Sequence, residues 1–297
     1  MIYPSTNTIS YRINSNKTGM LSSNLSGANS TISESLKRPL EIHFIINHPK
    51  FNLLFACKQV VIIAYLTGVL WLRRNPMSMV FSALSPFSLL FVLFVVSNGQ
   101  YVQFALAGSL VMSLVGYGLS LGQDISFYKT EYKIQDMFVA SPVSSLTYMT
   151  GLALSELLFG LPALVVLAFL VMHYGTSLSD LPLLISTVFL VWGSMSAIGF
   201  FLSSHMLHLR NATQIISFVN VILAVLPPVY YSITRLPLNL QYVAYAVPTT
   251  HASLIFQSIM GLHTPKEWSV ALGVLVQLIY LIAFILLAKT KALWREL

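Results

Sequence analysis

"SLTYMTGLALSELLFGLPALVVLAFLVM", residues 145–172, carries a single charged side chain, Glu156. About 20 apolar residues carry a helix across a hydrocarbon core, so this stretch suffices as a span. It is far too long, and alternates too little, for a barrel strand of about 10 residues. The whole chain is of this material: 56% of its 297 residues are hydrophobic and only 8% charged, against about 25% charged in soluble domains. That leaves too little polar surface to cover a soluble globule. An integral membrane protein is expected, all-α, because only helices and closed barrels satisfy their backbone inside lipid.

Working outward, five more runs read as spans: 77–97, 101–121, 181–206, 213–233 and 267–289, the fifth of the six kinked near its end by Pro227-Pro228. The preceding run, "FNLLFACKQVVIIAYLTGVLWLRRNP" (51–76), is interrupted by Lys58 and Gln59. A charge near a span centre costs roughly 2.5 kcal/mol or more, so residues 41–76 are expected to hold an amphipathic interfacial helix ending at Arg73 and Arg74. Residues 1–40 are rich in Ser, Asn and Thr without an apolar h-region, which reads as a disordered tail lacking a cleavable signal peptide. Cys57 is the only cysteine, so no intrachain disulfide is possible.

Charge orients this scheme. Of 16 Lys and Arg, fourteen fall before the first span, in the second-to-third and fourth-to-fifth loops, and in the C-terminal tail; Arg235 and Lys266 fall on the other side. The positive-inside rule makes both termini cytoplasmic. Residues 234–265, apolar but broken by Pro237, Pro248 and Gly261, are then an extracytoplasmic re-entrant hairpin rather than a seventh span. The net charge of +7 belongs to loops, and no nucleic-acid partner is expected.

The loop "TEYKIQDMFVASPV" (130–143) concentrates charge in a chain that has little. As a helix, residues 127–138 would place Phe127, Ile134, Met137 and Phe138 on one face and Tyr128, Tyr132 and Asp136 on another. That is an amphipathic cytoplasmic helix, either a docking element or a solvated turn. Glu156 within its span is a path-lining group or a buried structural acid; Asp124 reads as an end marker of the second span. His205 and His208, beside Arg210, read as a cytoplasmic cap, since two histidines without a Cys or carboxylate make a poor metal site. Tyr230, Tyr231, Tyr242 and Tyr245 suit an interfacial aromatic belt, with a gate as the sharper alternative. No GxxxxGK[ST], HExxH or CxxC occurs, so no enzyme is expected and energy comes from a partner or a gradient. A proton-coupled secondary transporter or a channel using Glu156 stays open, although no internal repeat is found.

The order of surface helix, "RRNP", two spans, charged loop, four spans and a Pro-broken segment before the last resembles the membrane subunit of an ABC-2 type exporter over residues 50–297. Glu131, Asp136, Ser141 and Pro142 fit that family's acid-rich loop ending in Ser/Thr-Pro, with Lys133 where Gly is usual. Pro248, Thr249, His251 and Gly261 fit its second stretch. The resemblance implies a six-span exporter permease with a coupling helix at 124–142. Tyr128, Glu131, Tyr132, Asp136, Ser141, Pro142, Arg73 and Arg74 would face a cytoplasmic ABC ATPase carrying ATP and Mg, with no cofactor on this chain. It also implies a second copy of itself or a homologous permease, a plasma-membrane setting among lipids, and a drug, lipid or polysaccharide cargo. Glu156 is the candidate for the path, and Tyr230, Tyr231, Pro248 and His251 for an outer gate.

Overall fold

The computed structural model describes residues 53–174, 177–265 and 268–292. The expected tail 1–40, the start of the interfacial region, Lys266 and Arg295 lie outside them. Among the described residues every regular element is helical. Helix α1 runs Leu53–Ala64, passes through a π-turn at Tyr65–Val69 and ends as Leu70–Arg74. Then come α2 (Met77–Val96), α3 (Val102–Thr130), α4 (Ile134–Ala140), α5 (Ser145–His173) and α6 (Leu181–Ser204). Last are α7 (Leu209–Ala224), α8 (Leu238–Tyr245), α9 (Pro248–Ile259) and α10 (Val270–Lys291). Among the described residues six helices, α1, α2, α3, α5, α6 and α10, are long and apolar enough to cross a membrane.

Helix α3 is the axis, packed by α2, α5, α6, α7 and α9. Its closest neighbour is α6, and glycine permits the approach. A Cβ added at Gly122 would stand 2.5 Å from the Gly199 carbonyl oxygen, and one at Gly118 would stand 2.4 Å from Met195 Cβ. Gly118 and Gly122 are the small-xxx-small spacing that lets two helix backbones touch where lipid offers no hydrophobic drive.

Three segments differ in outline from their sequence reading. First, α1 has the length and apolarity of a span, 21 residues over Leu54–Arg74, and it crosses α5 with Ile63 on Gly151 and Gly68 on Ser155. Second, the helix read through 127–138 is split. Helix α3 continues to Thr130, and Lys133 then takes φ 52°, a left-handed conformation that interrupts the helical ladder before α4. Third, the fifth run is helical only from Leu209 to Ala224, 16 residues or about 24 Å. The helix stops ahead of Pro227-Pro228, which lack the N–H groups needed to extend it.

That fifth segment nonetheless runs the length of α3. Lys129 Nζ donates to the Met206 carbonyl at 3.4 Å, Ile216 meets Gly122, Tyr230 closes over Gly108, and Arg235 donates to the Tyr101 hydroxyl at 3.2 Å. In its irregular second half Pro227, Pro228, Val229 and Ile233 are buried in protein, where non-helical backbone at membrane depth is tolerated. Ser253 Oγ donates to the Pro228 and Val229 carbonyls, both at 3.3 Å.

Helices α8 and α9 form a hairpin whose two ends lie together. Arg235 reaches Tyr101 at one end, and at the other Gln103 donates to the Met260 carbonyl. The bend lies deeper: Tyr280, ten residues into α10, donates to the Ala246 carbonyl, and that is about 15 Å below the start of α10. The hairpin therefore enters and leaves at one end of the bundle.

Candidate functional site

Glu156 projects from α5 into α3 and is 6% exposed. Ser120 Oγ donates to its Oε2 at 2.5 Å, and Asp124 stands one turn beyond Ser120 on the same face of α3. Asp124 is thus no end marker. It lies six residues before the end of α3, half-buried, because that helix extends past the point where the second span was expected to finish.

The pair lines a cavity of about 470 Å³ between α1, α2, α3 and α5. Trp71, Tyr117, Phe127, Tyr128 and Phe159 supply much of its wall, and Tyr132 and Ile134 lie where it meets the charged loop. Tyr117 is held by its hydroxyl, which donates to the Ser82 carbonyl at 3.2 Å. Tyr128 stacks against Tyr132 at 6.4 Å, and Phe127 meets the Tyr132 ring edge-on at 4.7 Å. The cavity therefore joins an acid inside a long apolar helix to the loop that follows α3. Sequence reasoning missed Asp124, Ser120, Tyr117 and Trp71. The signal was a stripe at 117, 120, 124 and 128 along one helix face.

The residues expected to meet an ATPase gather at the same end. Glu131, Tyr132, Asp136 and Pro142 are exposed, as are Arg73 and Arg74 at the end of α1. A second cavity of about 270 Å³ is lined by Arg74 together with Tyr128, Ile134 and Phe138. The two segments, some sixty residues apart in the chain, thus border one surface. Ser141 is turned inward, its hydroxyl donating to the Phe138 carbonyl at 2.7 Å.

The residues expected at an outer gate are occupied in packing. Tyr230 covers Gly108 and donates to Met112 Sδ at 3.1 Å, while Tyr231 is half-buried. Pro248 opens α9, and its carbonyl accepts from Gln277 Nε2. His251 uses both ring nitrogens: Nε2 donates to the Tyr245 carbonyl at 2.9 Å and Nδ1 accepts from Trp268 Nε1 at 3.3 Å. Indole nitrogen can only donate, which fixes this tautomer. Burial lowers the pKa of the imidazole from its ordinary value, against the pull of the Tyr245 carbonyl.

A family model described as ABC-2 type transporter matches residues 53–261. No curated protein matches the chain.

Proposed function

The chain belongs to the ABC-2 type transporter family and is a multi-pass permease of an ABC transporter, and from that premise we propose that it is an exporter subunit. It would move an amphipathic or lipid-like substrate out of the cytoplasm or inner leaflet, driven by ATP hydrolysis on a separate subunit. The observation that carries this reading is the shared surface made by the end of α1 and the loop before α5. There Arg73, Arg74, Glu131, Tyr132 and Asp136 are exposed, directly beside the cavity that reaches Glu156.

In this reading the ATPase, bearing ATP and Mg, docks on that surface, and its closure pushes α4 and α1 against α3 and α5. Two permease chains complete the path. Both termini are cytoplasmic, following the distribution of Lys and Arg, and the α8–α9 hairpin faces outward. Charge complementarity at such a contact sets register and encounter more than affinity. Exchanging Glu131 and Asp136 for Lys should therefore leave insertion intact while lowering ATPase co-purification, ATP hydrolysis and transport. Changing Lys289 and Lys291 to Glu is the matched control. Equal small effects from the two pairs would overturn the docking role. The Asp124–Glu156 pair is the one observation that favours proton coupling instead, and uphill transport by the chain without an ATPase would establish that alternative.

A further inference from the structure

We propose that the cavity between α1, α2, α3 and α5 binds a lipophilic organic cation, its charge set against the Asp124–Glu156 pair and its apolar body between aromatic rings. The inference deepens the permease reading, on which it rests for the ligand being cargo. Volume comes first: about 470 Å³ falls in the range of roughly 300–1,000 Å³ that holds drug-sized molecules. Charge comes second. Among the described residues the two carboxyls are the only charged side chains lining the cavity, so an anionic headgroup would meet acids without a compensating base there. Either carboxyl, once ionised, would offset the charge of a bound cation. The walls come third. Trp71, Tyr117, Phe127, Tyr128, Tyr132 and Phe159 all line the space, and ring faces attract cations most strongly where water is excluded. Room comes fourth. Gly116 lines the cavity, and a Cβ built there would meet nothing within 4 Å.

The test uses the full chain in phosphatidylcholine nanodiscs without any ATPase. Binding of tetraphenylphosphonium is compared with that of tetraphenylborate, which has the same shape and opposite charge, after subtraction of uptake by empty nanodiscs. The cation should bind at least tenfold more tightly. Glu156→Gln combined with Asp124→Asn should abolish that preference. Gly116→Leu fills the open space from a helical position where Leu is the better helix former, so it should block binding with a melting temperature no lower than the parent. Wild-type affinity in the filled Gly116→Leu protein, or equal binding of cation and borate to the parent, would overturn the proposal. Because no ATPase takes part, these outcomes are independent of the Glu131 and Asp136 exchange. Loss of cation preference with intact ATPase docking sinks the ligand class alone. Preference with no docking effect sinks the ATP-driven reading alone.

Discussion

Lys133 shows how one side chain records the shape of a loop. It sits at φ 52°, a region that glycine enters freely and that costs other L-residues roughly 1–2 kcal/mol. Lys133→Gly should raise stability by about 1 kcal/mol, and a β-branched Lys133→Val should lower it, both read from thermal unfolding in detergent. His251 ties α9 to the residues before and after it in the chain through two hydrogen bonds. Its replacement by Phe keeps the bulk but takes from the Trp268 indole N–H its His251 acceptor, at a cost of about 1–3 kcal/mol. The pH dependence follows from the lowered imidazole. The folded protein keeps it neutral while the unfolded chain takes up a proton, so its contribution is complete above about pH 6.5 and is lost as pH falls below that value. The melting temperature should drop more steeply below pH 6.5 in the parent than in His251→Phe. Glu156 was legible from its place in an apolar run, but its partner was not. Asp124 stands near Gln123 and Lys129, and polar residues on a protein-lined helix look, in one dimension, like residues emerging into water.

At the scale of elements, hydropathy reports which segments suit lipid but not where a helix stops once protein surrounds it. Helix α3 extends to Thr130 because Asp124 and Tyr128 line the cavity it shares with α5 and Lys129 finds a partner in the fifth segment. The proline pair that ends α7 was readable, since the reason is local. The seam between α3 and α6 was present in the text as Gly118 and Gly122, although only their partners Met195 and Gly199 show what the spacing serves. Gly122→Ala places a methyl group against backbone and should destabilise the protein by about 1–3 kcal/mol, as overpacking does. Gly193→Ala is the comparison: its Cβ meets only the end of the Leu281 side chain, at 3.0 Å, and that end can move. A melting curve that drops equally for both substitutions would argue against the seam.

For the molecule as a whole, the sequence identified an all-α membrane protein because composition alone excludes the alternatives, whereas the status of α1 depends on contacts that no hydropathy profile contains. Cysteine labelling addresses it. With Cys57 replaced, a cysteine at Lys291 should resist impermeant thiol reagents in intact cells and one at Ser179 should react. Reaction at Ser22 would mean that α1 crosses. The hairpin carries a further consequence, one for biogenesis. Three groups that hold α8 and α9, Trp268, Gln277 and Tyr280, follow them in the chain. During synthesis the hairpin therefore has only part of its seat, on α3 and the fifth segment, until α10 has left the ribosome and entered the bundle. Completion of translation and closure of that end of the bundle become a single event. A nascent chain ending at residue 265 would present the buried polar face of α9 to quality-control proteases, and pulse-chase labelling should show it disappearing well before the full-length protein.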